Sequence, residues 1–485
     1  MPSKQRNFIG GAWVKSTSGE TFENRNPADI SDVIGHYQQS TAEDTEAAID
    51  AANEASNEWA GTPGPERGRI LRKASEILAE RKEQLTETLS REVGKTMSES
   101  SGEVQRAIDI YAYYAAKASD FGGSVKASSN QSTHLYSENE PLGVAGLITP
   151  WNFPIAIASW KMAPALAAGN TVVLKPASLA PEIVLELVEA LEEAGIPDGV
   201  VNFVTGPGRA VGSTIAASPA VDAVSFTGSH SVGEKVREQA AKDGKRVQLE
   251  LGGKNPTIVM PTADIDSAVD IVADGCFGVT GEACTATSKA LVHEDIYEEF
   301  VDEMTAHVDG IEIGPGLEDY DMGPHVSESE LESTLDYIEV GKREGATLET
   351  GGNQLTGGVY ENGYFVEPTV FSDVTNDMRI AQEEIFGPVL GIIPVSSFED
   401  ALAQANDVRY GLAAGLVSQN LSEAHEFATR AEAGIIKVNE KTTGLELHVP
   451  FGGFKDSSSE TYREQGDAGL DFYSISRTVY INYQQ

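Results

Sequence analysis

The chain has 485 residues, with 35 basic against 75 acidic side chains and a formal net charge of −40. That length calls for two or three domains at roughly 100–200 residues each, and 40% hydrophobic residues are ample for packed cores, which excludes wholesale disorder. The charge repels phosphate backbones and anionic bilayers, so neither nucleic acid nor membrane is expected as a partner. Acid excess along the whole chain reads as a halophile-like solvating surface, whose self-repulsion salt screens to roughly 3 Å at 1 M. Two cysteines, Cys276 and Cys284, cannot form a disulfide framework, and a reducing, cytoplasmic compartment is expected. The opening MPSKQRNFIGG lacks the apolar core of a signal peptide. Residues 141–160 are uncharged but broken by Pro150, Asn152 and Pro154, which argues against a membrane span.

In chain order, residues 41–120 have apolar positions at helical spacing, interrupted at Pro65. The Ser-rich, alternating FGGSVKASSNQSTHLYSENEP reads as a protruding hairpin. Between Gly143 and Gly253 short apolar runs alternate with helices. GVAGLITP, NTVVLKP, VVNFVTG, AVSFTG and RVQLELGG are the strands, and the repetition predicts a doubly wound parallel sheet. A second α/β set follows, with PTIVM, SKALV, FVEPTVF, LGIIPV, AAGLVS and GIIKVN as strands, and the tail RTVYINY is a late, isolated one. The expected fold class is therefore α/β, with two doubly wound domains and a small β flap. Residues 1–122 and 142–252 are expected to form the first domain and 253–444 the second. Residues 123–141 and 466–485 are assigned to the flap, and 445–465 to a loop returning to the first domain.

Ligands in such folds sit beyond strand carboxyl ends, so the segments TPWN, LKPAS, TGPG, FTGS and LELGG are the places to look. Cys284, in GEACTATSK, precedes a predicted strand. A lone cysteine is most often a small buried apolar residue, but Glu250 ends one strand in LELGGK and Asn152 another in TPWNFP. A thiol, a carboxylate and an amide converging on one cleft match the needs of acyl chemistry: nucleophile, base and oxyanion donor. Cys276 lies in an apolar helical context and is assigned to packing. The eight histidines form no metal motif, so no metal site is expected.

The motifs PWNFP, LKPAS, FTGS, ELGGK, GEACTATSK, FVEPTVF, EEIFGPV and PFGGFK occur in this order. Together they closely resemble the aldehyde dehydrogenase superfamily, from NPAD near Asn26 to RTVYINY. The resemblance implies a dinucleotide-binding domain (1–122 and 142–252), a catalytic domain (253–444) and an oligomerisation flap, with 445–465 a substrate-channel loop. It implies Cys284 as nucleophile, Glu250 as general base, and Asn152 with the Cys284 N–H as the oxyanion hole. Cofactor contacts carried over are Thr149, Pro150, Trp151, Lys175, Ala177, Ser178, Phe226, Thr227, Gly228, Ser229, Val232, Leu251, Glu384 and Phe386. TGPGRAVG supplies Gly208 and Gly212, at a spacing one residue longer than the common glycine fingerprint.

Relatives preferring NAD tend to carry glutamate where this chain has Ser178; the neutral hydroxyl with Lys175 nearby predicts NADP preference, NAD remaining possible. The segment TTGLELHVPFGGFKDSSSETYREQG is similar to dehydrogenases that oxidise 2,5-dioxopentanoate (α-ketoglutarate semialdehyde) to 2-oxoglutarate in pentose and sugar-acid breakdown. Trp160 departs from the succinate-semialdehyde branch, which carries arginine there, and leaves the anchor for a substrate carboxylate unassigned. Trp160, Phe277 and Leu445 are expected as channel walls. The alternatives are a succinate-semialdehyde or broad-specificity aldehyde dehydrogenase, a coenzyme A-acylating relative, and an inactive binding or structural protein of the same fold. The expected partners are a small aldehyde and further copies of the chain, as a homodimer or homotetramer, because flap strands would leave unpaired edges.

Overall fold

The structure is a computed structural model that describes residues 6–318, 320–459 and 461–484. Two short strands, β1 (Asn7–Ile9) and β2 (Ala12–Val14), and a ribbon of β3 (Thr21–Asn26) and β4 (Asp29–Gln38) open the chain. Residues 41–120 then fold into α1 (Ala42–Gly61), α2 (Gly64–Glu80), α3 (Lys82–Val93) and α4 (Met97–Asp120). Thr41 with Asp44, and Thr96 with Glu99, close capping boxes at the starts of α1 and α4, satisfying amide groups the helix leaves unpaired.

After the flap strands β5 (Ser124–Lys126) and β6 (Thr133–Pro141), strand–helix alternation runs as the apolar pattern predicts. The order is β7 (Val144–Ile148), α5 (Pro154–Ala168), β8 (Thr171–Lys175), α6 (Glu182–Ala194) and β9 (Val201–Phe203). Then follow α7 (Val211–Ala217), β10 (Ala223–Thr227), α8 (His230–Ala240) and β11 (Arg246–Glu250). The sheet order is β11-β10-β7-β8-β9-β1-β2, with β7 to β11 parallel. β7 and β8 are buried at every position, as a sheet covered on both faces requires. The winding direction reverses between β7 and β10, and crevices at such a switch point hold ligands.

The second sheet is built from β12 (Asn255–Val259), β13 (Thr287–His293), β14 (Thr347–Thr350), β15 (Thr369–Ser372), β16 (Val389–Val395), β18 (Ala413–Val417) and β19 (Ile435–Val438). Its order is β14-β15-β16-β13-β12-β18-β19, antiparallel only at β14. Between β12 and β13 runs α9 (Ile265–Phe277). A two-stranded ribbon joins β17 (Tyr410–Gly411) to β20 (Phe454–Lys455). Beyond it the chain crosses to the first sheet, where Leu251 N–H donates to Ser457 O (2.9 Å) and Ser459 N–H to Leu249 O (3.2 Å).

The tail strand β21 (Ser474–Asn482) is not isolated. It pairs antiparallel with β6 from Ser474↔Pro141 to Asn482↔Thr133, and β5 covers the other edge of β6. Residues 466–472, expected with the flap, instead form a short helix, and Leu470 and Phe472 from it join the core built on α5. Residues 1–5 and Gln485, within the expected terminal segments, lie outside the described residues. No described helix is long and apolar enough to cross a membrane.

Candidate active site

At the switch point a cavity of about 250 Å³ is lined by Pro150, Trp151 and Asn152 after β7 and by Thr227, Gly228 and Ser229 after β10. Leu251 and Gly252 after β11, Cys284 before β13, and Glu384 and Phe386 from the second domain complete the wall with Glu330 and Ser333. Sequence-distant segments thus bring the expected thiol and amide into one space.

Cys284 follows a turn with three successive left-handed residues, Val279 (φ 55°), Thr280 (φ 54°) and Gly281 (φ 69°). Two of these are β-branched, a backbone state that persists only where the surroundings enforce it. Glu99 accepts from Val279 N–H (2.6 Å), and Thr280 Oγ1 donates to Gly323 O (3.2 Å). A Cβ on Gly281 would run into the Gly387 carbonyl. Burial pushes the Cys284 thiol up to about 12, with the negative charges of Glu384, Glu250 and Glu464 adding to it. Burial among carboxylates thus favours the protonated thiol over the thiolate.

Asn152 Nδ2 donates to the carbonyl of Glu282, 3.1 Å away and two residues before Cys284; its second Nδ2 hydrogen remains for a ligand. The Glu282 carboxylate is itself buried against His325, with Oε1 2.6 Å from Nδ1 and also accepting from Val326 N–H (3.2 Å). This pair fixes the segment that positions both thiol and amide.

Glu250 is withdrawn behind the cavity wall. It is 2% exposed, accepts from Ser458 Oγ at 3.4 Å, and its Oε2 has no partner among the described residues. Burial pushes its carboxyl well above the usual range; Glu464 raises it further, while Lys161 and Arg463 pull it down. Lys161 and Glu464, 0% and 1% exposed, form a buried ion pair. Lys161 also donates to Ser225 Oγ (2.7 Å), which donates to Gln248 Oε1 (2.8 Å). Sequence reasoning missed this network, although a single lysine in the otherwise apolar run PIAIASWKMAPALAAG is the mark of a charge buried with a partner.

A second cavity, of about 580 Å³, opens on the outer side of the same strand ends and is lined by Gly208, Gly212, Phe226 and Val232 among others. The start of α8 separates the two, with Gly228 and Ser229 bordering one and Val232 the other. A helix N-terminus between two hollows suits a pyrophosphate joining two nucleosides. The buried, unpartnered hydroxyls of Thr149 and Thr227 face the same strand ends, and no Cβ would meet an atom within 4 Å at Gly208. The residues present therefore fit a dinucleotide.

Lys175 ends β8, its stem 3.7 Å from where a Cβ on Gly212 would stand, and its Nζ donates to Pro176 O (2.7 Å). Burial pulls this amine down to about 8. Half-buried Ala177 and exposed Ser178 follow it, and Ser178 Oγ donates to Gly206 O (3.4 Å). On the inner side Glu384 accepts from Gly253 N–H (3.0 Å) and burial raises its carboxyl to about 7. Phe386 meets Trp151 edge-on at 5.4 Å.

Of the expected channel walls, Trp160 packs against Phe451 at 5.8 Å. Phe277 lies in the apolar cluster under α9 and borders a different cavity, with Asp274, His307 and Lys441. Half-buried Leu445 does not line the Cys284 cavity. Cys276 is 1% exposed in the α9 cluster, a packing position.

Hollows on either side of a helix start at the switch point, one of them holding a thiol and an amide, are the setting of an oxidoreductase. Residues 13–479 match the aldehyde dehydrogenase family, and the chain belongs to it. Among its relatives are an alpha-ketoglutarate semialdehyde dehydrogenase of Haloferax volcanii, 59% identical across 100% of both chains, and an alpha-ketoglutaric semialdehyde dehydrogenase of Bacillus subtilis, 47% identical over 98% of this chain and 97% of that one. A 2,5-dioxopentanoate dehydrogenase of Saccharolobus solfataricus is 44% identical over 97% and 98%. Among solved structures, a betaine aldehyde dehydrogenase of Staphylococcus aureus in complex with NAD+ superposes with a TM-score of 0.96 at 35% identity, covering 99% of this chain and 95% of that one.

Proposed function

We propose that this aldehyde dehydrogenase oxidises 2,5-dioxopentanoate to 2-oxoglutarate, with Cys284 as nucleophile, Asn152 as oxyanion donor and Glu250 as base. Full-length similarity to three enzymes named for this substrate carries the substrate; the shared cavity of Cys284 and Asn152 carries the chemistry. As Sγ bonds to the aldehyde carbon, the thiol gives its proton to the Glu250 carboxylate, which passes it to solvent, and the oxygen that gains charge is held by the free Asn152 Nδ2 hydrogen and the Cys284 N–H. Preorganised donors of this kind contribute roughly 3–4 kcal/mol each. When bound, the oxidised nicotinamide supplies the acceptor for the hydride. The acyl group left on Sγ is a thioester, and Glu250, whose carboxyl burial makes unusually basic, takes the proton from the water that cleaves it. Thiol release and a free carboxylate complete the turnover.

The Ser229 end of α8 and the Thr149 and Thr227 hydroxyls would hold the dinucleotide, with Glu384 on the inner ribose and Lys175 and Ser178 on the outer one. Ser178 is neutral and exposed, and Arg209, Lys235 and Lys242 outnumber Glu238 in the lining of the outer cavity, which favours NADP over NAD. The flap leaves Val125, Ile475, Tyr480 and Ile481 exposed. Such an edge suits pairing between copies in a dimer or tetramer.

Steady-state rates with 2,5-dioxopentanoate, succinate semialdehyde and pentanal, each with both cofactors at high KCl, test this reading. The highest kcat/KM is expected for 2,5-dioxopentanoate with NADP, abolished by Cys284→Ala. Equal or better turnover of pentanal contradicts the substrate, and a tenfold or greater NAD preference contradicts the cofactor assignment.

A further inference from the structure

α4 carries a cation whose surroundings the chemistry above does not use. Glu103 of α4 caps the start of α5, its Oε1 accepting from Ile155 N–H (3.1 Å) and Ala156 N–H (3.2 Å), just beyond Asn152. One turn along the same helix face stands Arg106, half-buried, its Nη2 donating to Gln465 Oε1 at 3.0 Å. No carboxylate pairs with Arg106 among the ion pairs of the described residues; Glu446 and Asp109 act on it only at longer range. One of its five N–H donors is accounted for, and the guanidinium fork matches a carboxylate.

Gln465 follows Glu464, the partner of Lys161 beside Glu250. It is 1% exposed, and with its oxygen engaged by Arg106 its Nε2 has no acceptor. Glu464 exchanges backbone hydrogen bonds with Phe451 (2.7 and 2.8 Å), whose ring packs on Trp160. Trp160 is 8% exposed, and its Nε1–H is also buried without an acceptor. Buried donors left unpaired are costly and mark where a ligand's oxygens belong. Three sets of donors are thus linked through contacts among α4, α5 and residues 451–465.

We propose that Arg106 is the anchor for the carboxylate of an oxo-acid aldehyde, with the Gln465 amide as a second donor to that end of the substrate. This rests on the substrate class proposed above. A five-carbon chain with an aldehyde at one end and a carboxylate at the other offers that cation a partner, and a neutral aldehyde leaves it unpaired. Arg106 is thereby a specificity-determining residue.

The test is the ratio of kcat/KM for 2,5-dioxopentanoate to that for pentanal, in wild type, Arg106→Met and Arg106→Lys. Arg106→Met keeps most of the apolar stem, and the ratio is insensitive to any loss of folded enzyme. It is expected to fall at least about 30-fold in Arg106→Met, the cost typical of truncating one partner of a buried charge pair, and to recover partly in Arg106→Lys, which restores charge without the fork. A wild-type ratio near one refutes the substrate class itself. A high wild-type ratio retained in Arg106→Met refutes Arg106 as the anchor while leaving that class standing.

Discussion

Replacing Lys161 with methionine separates the two things this buried lysine does. Lys161 is 0% exposed and Glu464 1%, so the variant leaves Glu464 uncompensated in a region almost free of solvent. Breaking such a pair costs about 3–5 kcal/mol, whereas replacing both members by apolar groups is close to neutral. Lys161 also helps to pull the Glu250 carboxyl down, against burial and Glu464. Without it Glu250 holds its proton to higher pH. A base must be ionised to act, so the acid limb of kcat moves toward higher pH. Thermal midpoints and pH–kcat profiles, taken at one protein and one salt concentration for wild type, Lys161→Met and the double variant Lys161→Met/Glu464→Leu, read both effects. The single variant is expected to be the least stable, with its acid limb displaced upward; the double variant recovers most of the stability and returns the limb toward wild type. A single variant as stable as wild type, or a limb moving to lower pH, refutes the electrostatic coupling.

Three further outcomes follow from the same geometry. Ser178→Glu places a charge beside the expected 2′-phosphate; at about 1 kcal/mol per unit charge pair near contact in water, a dianion loses about 30-fold in kcat/KM for NADP, less at 1 M salt, while NAD is spared, all read by steady-state kinetics. Asn152→Ala removes one oxyanion donor and is expected to lower kcat about 10²–10³-fold with the far-ultraviolet circular dichroism spectrum retained. Gly281→Ala forces a Cβ against the Gly387 carbonyl at a left-handed position; thermal unfolding should show a loss of roughly 1–3 kcal/mol, with activity falling further because the Cys284 turn is displaced.

Much of the fold was legible because the strands of the first sheet are buried on both faces and so appear as continuous apolar runs, such as VVLK before Pro176 and VSFT before Gly228. The ribbon β3–β4 was not, since TFENRN lies half in solvent and presents no such run. Asn152 and Glu250 stood out because they close strand segments at the carboxyl edge of the first sheet, and Cys284 because it shortly precedes β13 in GEACTATSK. Phe277 misled as a channel wall: an aromatic near the nucleophile in sequence points into the α9 cluster. Arg106 and Gln465 could not be paired from the sequence, being 359 residues apart, and only the fold lays α4 against the returning 451–465 segment. The Glu282–His325 pair escaped notice for the same reason, joined across a separation of 43 residues.

The most direct examination of covalent catalysis by Cys284 is to stall the enzyme after oxidation. Glu250→Gln lacks the base but keeps the thiol and amide, so mixing it with 2,5-dioxopentanoate and NADP should give a burst of one reduced cofactor per active site. Steady turnover should then be slower than wild type by about 10²–10⁴-fold. Rapid acid quench and peptide mass spectrometry should find one five-carbon acyl group on the peptide carrying Cys284. A burst with no adduct on that peptide, or reduced cofactor formed at the wild-type rate in Cys284→Ala, would contradict the account.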